Sequence, residues 1–108
     1  MSDGLGEFEI LVLTGVMAAG DNAYGMTIHE EVEVLVPAKR NVAIGAVYTT
    51  LGRLEEKGYV KSWTGGATSE RGGRAKRFFK VTGAGEKALR QALEPMRKAI
   101  EVVRGAEV

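Results

Sequence analysis

Residues 47–60 read VYTTLGRLEEKGYV, and this stretch determines how the chain around it must fold. Apolar residues recur here at helical spacing, which predicts an amphipathic helix over roughly residues 43–57, with its apolar stripe formed by Ile44, Val47, Leu51 and Leu54. Gly58 stands where helices often end in a left-handed residue, and Tyr59 after it is placed to pack on Leu54. The stretch therefore predicts a helix that ends in a Schellman-type turn and leads into a strand.

The opposite side of this helix carries a narrow stripe of small, polar and basic side chains: Ala46, Thr49, Thr50, Arg53 and Lys57. Short donors and one arginine on a single stripe suit a helix that enters the major groove of DNA. Gly45 and Gly52 lie seven residues apart on one edge, and each costs the helix about 1 kcal/mol relative to alanine. Two explanations for them stay open, namely close approach of another molecule's backbone and close packing against the preceding helix.

The rest of the chain predicts three further helices and a hairpin. Residues 5–19 are apolar almost all round, which indicates a helix buried on several sides, and a second helix ends before Pro37. After Gly58 the apolar period changes from 3.6 to 2, which predicts two strands joined by the loop of residues 64–75. A last helix, capped by Thr82, covers about residues 83–104.

The last helix has an apolar seam with steps of four and three residues, formed by Leu89, Leu93, Met96, Ile100 and Val103. Pro95 lies inside this helix, and we expect a kink or a break near residues 91–95. A single chain would expose much of the seam and of the first helix, including Phe8 and Leu11. These residues therefore predict the interface of a homodimer.

The net charge of +1 over 108 residues conceals a strong asymmetry. Residues 1–36 contain seven acidic residues and no Lys or Arg, whereas residues 37–80 have a local charge of +7. Either the basic part forms one positive surface that binds a polyanion, or the two parts neutralise each other in the fold. Cations outside the third helix suit contacts with phosphates or with a minor groove, although a solvated loop is the alternative: Lys39, Arg40, Arg71, Arg74, Lys76 and Arg77.

Several classes of protein fit the sequence poorly. His29 is the only histidine, and its spacing from Glu33 predicts an ion pair on one helix rather than catalysis. The chain has no cysteine, and it contains no phosphate-binding or nucleophile motif. We expect no enzyme activity, no cofactor and no metal. No apolar run has the length of a membrane span, so we expect a cytoplasmic protein without membrane contact.

Three motifs carry a resemblance to a known family: Tyr24-Gly25, GAVYTTLGRLEEKG at residues 45–58, and GGRAKRFFKVTGAG at residues 72–85. Together they resemble the PadR family of bacterial transcription regulators, and the similarity extends from about Leu5 to Leu93. The resemblance implies an α+β, mostly helical fold, the winged helix-turn-helix, with three helices and a two-stranded wing. Residues 1–82 would form this DNA-binding domain, and residues 83–108 would form a dimerisation helix packed on it.

The resemblance also implies a function. The protein would be a homodimer that binds double-stranded DNA at a palindromic operator and represses nearby genes, with room for a small-molecule effector of unknown identity. By position, Tyr48, Thr49 and Arg53 would face DNA and Tyr24 would touch its backbone. Arg74 and Lys76 would lie on the wing.

Two other functions remain as alternatives to DNA binding. The first is a protein–protein interaction module whose basic surface binds an acidic partner. The second, weaker alternative is RNA binding, for which the sequence shows no series of exposed aromatic residues. The only tryptophan, Trp63, lies on a predicted wing strand, and the last helix contains no aromatic residue.

Overall fold

The computed structural model describes residues 4–38, 40–65 and 75–106. Three helices come first: α1 (Glu7–Ala19), followed by the 3-10 turn Gly20–Asn22, then α2 (Gly25–Leu35) and α3 (Ile44–Glu56). An antiparallel hairpin, β1 (Val60–Gly65) with β2 (Lys76–Val81), forms the wing, and α4 (Gly83–Ala106) follows it. The predicted order of elements and the mostly helical winged architecture are confirmed.

Helix α1 packs one side into the core of the chain and leaves another side exposed. Val12, Leu13 and Val16 are buried, whereas Met17 is 44% exposed, so within one chain only part of this apolar helix is covered. The contact of α1 with α2 depends on Gly15, because a methyl group there would lie 3.0 Å from Val32 Cγ2. The absence of a side chain at Gly15 therefore lets the two helices approach closely.

Helix α3 ends as the sequence predicts. Gly58 adopts φ +80°, its N–H donates to the Glu55 carbonyl at 3.0 Å, and the Tyr59 N–H donates to the Leu54 carbonyl at 2.9 Å. This pair of hydrogen bonds defines a Schellman turn. The turn directs the chain from α3 straight into β1.

The wing has two different faces, because successive side chains of a strand alternate. Trp63 is paired with Phe78 across the strands, and both lie on the outer face, while Phe79 is buried against the core. The Phe79 N–H donates to the Ala23 carbonyl at 2.9 Å, and Tyr24 forms an isolated bridge with Phe78. The segment before α2 therefore anchors the wing to the helices.

Helix α4 begins at a cap formed by Thr82, as predicted. Thr82 Oγ1 accepts a hydrogen bond from the Gly85 N–H at 3.0 Å and donates to the Gly58 carbonyl at 2.7 Å. The helix is continuous past Pro95, so the expected interruption near residues 91–95 is not a break. Leu89 is buried in the core of the chain, whereas Met96 is 59% exposed, so only the first part of α4 belongs to that core.

The first turn of α4 lies so close to Tyr59, the residue before β1, that only glycine fits at residue 85. A methyl group at Gly85 would overlap the carbonyl oxygen of Tyr59, whereas one at Gly83 would meet no described atom within 4 Å. We expect Gly85→Ala to lower the free energy of unfolding by about 1–3 kcal/mol, because the backbone must move. Gly83→Ala is the matched control and should be neutral or stabilising by up to about 1 kcal/mol. Urea denaturation at equal protein concentration measures both, and equal midpoints would contradict the proposed tight contact.

Candidate nucleic-acid interface

The outer face of α3 is a solvent-exposed surface next to the wing. Val47, Leu51 and Leu54 are buried on the inner side, while Tyr48, Thr49 and Arg53 are exposed on the outer side. The predicted division of α3 into an apolar stripe and an outer surface is thus correct for these residues. Side chains of this kind reach base edges when a helix lies in a major groove.

Thr50 does not belong to this outer surface. It is only 4% exposed, so the prediction that it lies on the polar outer stripe was wrong. Thr50 follows Val47 by three residues and precedes Leu54 by four, and both spacings place it on the core-facing side of a helix. A threonine at the edge of the apolar stripe is therefore buried with that stripe.

Gly45 and Gly52 line an open part of the outer face. Within the described residues, no atom other than the helix's own backbone would lie within 4 Å of a methyl group at either position. Packing against α2, one of the two explanations for these glycines, therefore does not occur in this chain. The two glycines leave the backbone of α3 accessible from solvent.

Tyr48 is positioned by a contact that the sequence reasoning missed. A methyl group at Gly25 would overlap the Tyr48 hydroxyl and its ring, so the first residue of α2 must be glycine for Tyr48 to lie there. The tyrosine remains 50% exposed and spans the gap between α2 and α3. The pair Tyr24-Gly25 was the only signal in the sequence, and it carried no information about a partner in α3.

Tyr24 and Lys76 form the edge of the wing nearest to α2. The Lys76 ammonium lies 4.2 Å from the centroid of the Tyr24 ring, which is a cation–π contact. The same ring meets Phe78 edge-on, with centroids 5.8 Å apart and an interplanar angle of 80°. Two of the residues predicted to bind DNA are thereby brought together at one place.

Arg77 is held against the end of α3 rather than left free. Its guanidinium lies 3.3 Å from Glu55 Oε1, and Ser62 Oγ donates to Glu55 Oε2 at 2.6 Å. The hydrogen bond from Ser62, together with Arg77, holds the pKa of the Glu55 carboxyl below its usual value. Glu55 thus ties both strands of the wing to α3, and Arg77 has a structural partner.

Lys57 is likewise engaged, here with α1. Its ammonium contacts both carboxylate oxygens of Glu9, at 2.9 and 3.0 Å. Burial acts to raise the pKa of the Glu9 carboxyl, but the hydrogen bonds from Lys57 and from the Gly6 N–H outweigh it, and the pKa is lowered. Lys57 therefore stabilises the packing of α1 on α3 and does not extend the free outer stripe.

The remaining predicted DNA-binding cations divide into two groups. Arg40 and Arg53 are exposed, and neither forms an ion pair with another described residue. Lys39, Arg71 and Arg74 lie outside the described residues. Of the predicted DNA-binding cations that the structure describes, Arg40, Arg53 and Lys76 therefore form no ion pair, whereas Arg77 does.

His29 has the structural role that its spacing predicted, with an addition. Its Nε2 lies 3.7 Å from Glu33 Oε2 on the same helix. It also donates a hydrogen bond to the Val42 carbonyl at 2.6 Å, which connects α2 to the segment before α3. No three potential metal-ligating side chains converge anywhere in residues 4–38, 40–65 and 75–106.

The predicted dimer residues occupy two environments. Phe8 and Leu11 are half-buried against the core of their own chain, and Leu89 is fully part of it. The seam beyond Leu89 is exposed, with its members 39% to 59% accessible: Leu93, Met96, Ile100 and Val103. An uncovered apolar stripe therefore extends along the second half of α4.

Comparison with known proteins gives a consistent picture of the fold. A search of curated proteins finds no match. A PadR family transcription regulator from Clostridium difficile R20291 superimposes with a TM-score of 0.68 at 21% identity, covering 95% of this chain and all of the other. A transcriptional regulator from Clostridium thermocellum gives a TM-score of 0.66 at 23% identity, with 90% and 86% covered. The Aeropyrum pernix ORC1 protein, in complex with DNA, gives a TM-score of 0.65 at 23% identity, covering 89% of this chain and 26% of the other.

No helix in the described part of the chain is long and apolar enough to cross a membrane.

The family model agrees with these structures and covers most of the sequence. The model of the transcriptional regulator PadR-like family matches residues 13–91, which include α3, the wing and the first part of α4. The chain therefore belongs to the PadR-like family of transcriptional regulators.

Proposed function

We propose that this protein is a sequence-specific DNA-binding repressor that binds a palindromic operator as a homodimer. The observation that carries the proposal is the outer face of α3, where Tyr48, Thr49 and Arg53 are exposed beside two uncovered glycines. Residues 1–82 would bind DNA, and residues 83–108 would join the two chains. The membership in a family of transcriptional regulators supports this reading.

The geometry of α3 suits insertion into a major groove. Gly45 and Gly52 remove side chains from the surface that would meet the floor of the groove, so the helix can approach more closely. Arg53 is free of ion pairs within the described residues and can make a bidentate contact with guanine. Close approach and a free arginine together favour readout of base edges over contact with phosphates alone.

The wing would contact the sugar–phosphate backbone beside this groove. Tyr24 and Lys76 meet at the edge of the wing next to α2, and the Lys76 ammonium lies over the Tyr24 ring without an ion-pair partner among the described residues. Arg71 and Arg74 fall outside the described residues, and their contact with phosphates remains a proposal from the sequence. Backbone contacts of this kind position a protein on DNA without reading its sequence.

The exposed seam of α4 supports the homodimer. Four apolar side chains along one stripe would stay in water in a single chain, and a second copy of the same helix would cover them. A two-fold symmetric dimer presents two copies of α3, and it would therefore select an operator with two inverted half-sites. Repression follows when a dimer bound at such an operator excludes polymerase.

A gel-shift experiment tests the function directly. DNA from upstream of the protein's own gene should be shifted, scrambled DNA should compete poorly, and transfer RNA should not compete. Transcription from the same DNA in vitro should fall when the protein is added. Equal competition by transfer RNA would favour RNA binding, and the absence of any shifted DNA would favour the protein–protein alternative.

Arg53→Ala separates base readout from phosphate binding. A bidentate arginine–guanine contact contributes about 1–3 kcal/mol of discrimination against other bases. We expect the variant to bind the operator more weakly and to lose its base preference at one position in each half-site. Arg90→Ala, which removes an exposed charge on α4, is the matched control and should bind normally. A uniform loss of affinity for all sequences would show that Arg53 contacts only phosphate.

Substitutions in the seam of α4 test the dimer. Met96→Asp combined with Ile100→Asp places two charges on the exposed stripe, and burying them against a partner would be strongly unfavourable. We expect monomers by sedimentation velocity at micromolar concentration, and weak operator binding. Lys98→Asp on the opposite side of α4 is the control and should remain dimeric. A monomeric wild-type protein would contradict the proposal.

A further inference from the structure

A cavity of about 570 Å³ lies between the end of α1, the wing and the first turn of α4. Sites for small molecules generally occupy about 300–1,000 Å³, so this cavity has a suitable size. Its wall combines apolar side chains, including Met17 and Trp63, with three charged ones: Asp21, Lys80 and Glu86. The cavity lies apart from the outer face of α3.

Trp63 gives the cavity a fixed aromatic wall. The indole stacks on Phe78 with centroids 6.1 Å apart and an interplanar angle of 23°, which holds the ring in place. Despite this contact the side chain is 45% exposed. A rigid, half-exposed indole is a good surface for a second flat ring, and nucleic-acid bases stack on such side chains.

Two lysines on the same face of the wing lie in an unfavourable arrangement. Lys61 and Lys80 are directly opposite each other in the strand register, two residues from the pair formed by Trp63 and Phe78. Like charges at directly opposite positions destabilise a sheet, and neither lysine forms an ion pair with a described carboxylate. An anion bound between them would remove this repulsion. Lys80 also lines the cavity, so the anion would lie beside the indole.

The two carboxylates that line the cavity indicate which chemical groups its ligand should carry. Glu86 is paired with Arg90 at 3.2 Å, and Asp21 forms no ion pair within the described part of the chain. A small aromatic acid would gain nothing from these acceptors, whereas hydroxyl groups donate hydrogen bonds to carboxylates. The ligand should therefore combine a flat ring, hydroxyl groups and one anionic group.

We propose that this cavity binds a mononucleotide. The base stacks on Trp63, the phosphate lies at Lys80 with Lys61 beside it, and the ribose hydroxyls donate to Asp21 or Glu86. Gly83, at the first turn of α4, also lines the cavity and adds the positive end of that helix dipole near the phosphate. No charged residue of the proposed DNA-reading surface takes part in this site.

The position of the cavity gives the bound nucleotide a regulatory effect, and this part of the inference rests on the proposed function. The ligand would contact both the wing and the first turn of α4. In the proposed function the wing helps to place α3 on DNA, and α4 joins the two chains of the dimer. A ligand changes DNA affinity to the extent that it binds the DNA-competent arrangement more or less tightly than the alternatives. Binding of the nucleotide should therefore alter operator affinity.

The single tryptophan makes binding directly measurable without DNA, because Trp63 is both a wall of the cavity and the only indole in the chain. The full-length protein is titrated with each common nucleoside monophosphate, with the matching nucleosides and with inorganic phosphate. Indole emission is excited at the red edge of its absorption band, where nucleotides do not absorb. We expect saturable quenching by at least one monophosphate, with the matching nucleoside binding about tenfold more weakly.

Two variants and one control locate the site. Lys80→Ala should weaken monophosphate binding about tenfold and leave nucleoside binding unchanged, because a charged hydrogen bond to phosphate is lost. Lys87→Ala removes an exposed lysine of α4 that does not line the cavity, and it should bind as the wild type does. Trp63→Ala, measured by calorimetry, should lose roughly tenfold through the missing stacking contact. Thermal unfolding verifies that each variant is folded.

The outcomes that overturn the proposal are distinct from a failure of DNA binding. Absence of quenching by every monophosphate, or equal affinity for nucleoside and monophosphate, would overturn the site. Tighter binding of a single-stranded oligonucleotide than of any monophosphate would show a nucleic-acid surface instead. Operator affinity is then compared with and without the bound nucleotide, and an unchanged affinity would overturn only the regulatory effect.

Discussion

The junction between Gly58 and Gly85 is the constraint on which the rest of the structure depends. Gly58 ends α3 with a left-handed residue, and the Tyr59 carbonyl after it accepts the Thr82 N–H at 3.0 Å. Thr82 Oγ1 connects the Gly58 carbonyl to the Gly85 N–H, and Gly85 itself fits against the Tyr59 backbone. A small group of hydrogen bonds and one close backbone contact thus joins the end of α3, the start of β1, the end of β2 and the start of α4. Every contact in this junction involves a backbone group, and Thr82 contributes the one side chain that forms hydrogen bonds in it.

The ion pairs of the described residues show that part of the basic charge is neutralised within the fold, which was one of the two interpretations of the charge pattern. Glu9 from the acidic first third neutralises Lys57, and Glu55 neutralises Arg77 within the basic part. These pairs hold α1 and the wing against α3, so part of the positive charge stabilises the fold. Arg40 and Arg53 are exposed and form no ion pair within the described residues, although the charge of Arg53 helps to lower the pKa of the Glu9 carboxyl. Local ion pairs therefore use part of the basic charge to hold the elements together and leave Arg40 and Arg53 unpaired within the described residues.

The periodicity of the sequence predicted helix bounds and caps, which depend on residues close together in the chain. It did not predict side-chain exposure or close packing where these depend on contacts between different elements. The helix over residues 43–57, its glycine stop and the Thr82 cap follow from local spacing, and all three are confirmed within one residue. Thr50 was placed wrongly because its helical position lies at the boundary of the apolar stripe, where the depth of α3 in the core determines exposure. The roles of Gly25 and Gly85 depend on Tyr48 and Tyr59, which are distant in sequence. The cavity next to Trp63 likewise exists only because α1, the wing and α4 meet there.

The continuity of α4 connects the two ends of the proposed regulatory mechanism. Its first turn is fixed to the base of the wing through Gly85, Leu89 lies in the core, and the same unbroken helix carries the exposed seam from Leu93 onward. In the proposed dimer the distance between the two α3 helices is therefore set by the angle at which α4 leaves its own domain. Half-sites on one face of DNA are spaced by about 34–36 Å or multiples of that distance, so a small change of this angle alters the fit at both half-sites. The proposed ligand would lie beside Gly83, where α4 leaves its own domain. A small change in the direction of the helix at that point would move its far end, and with it the partner chain, by a larger distance.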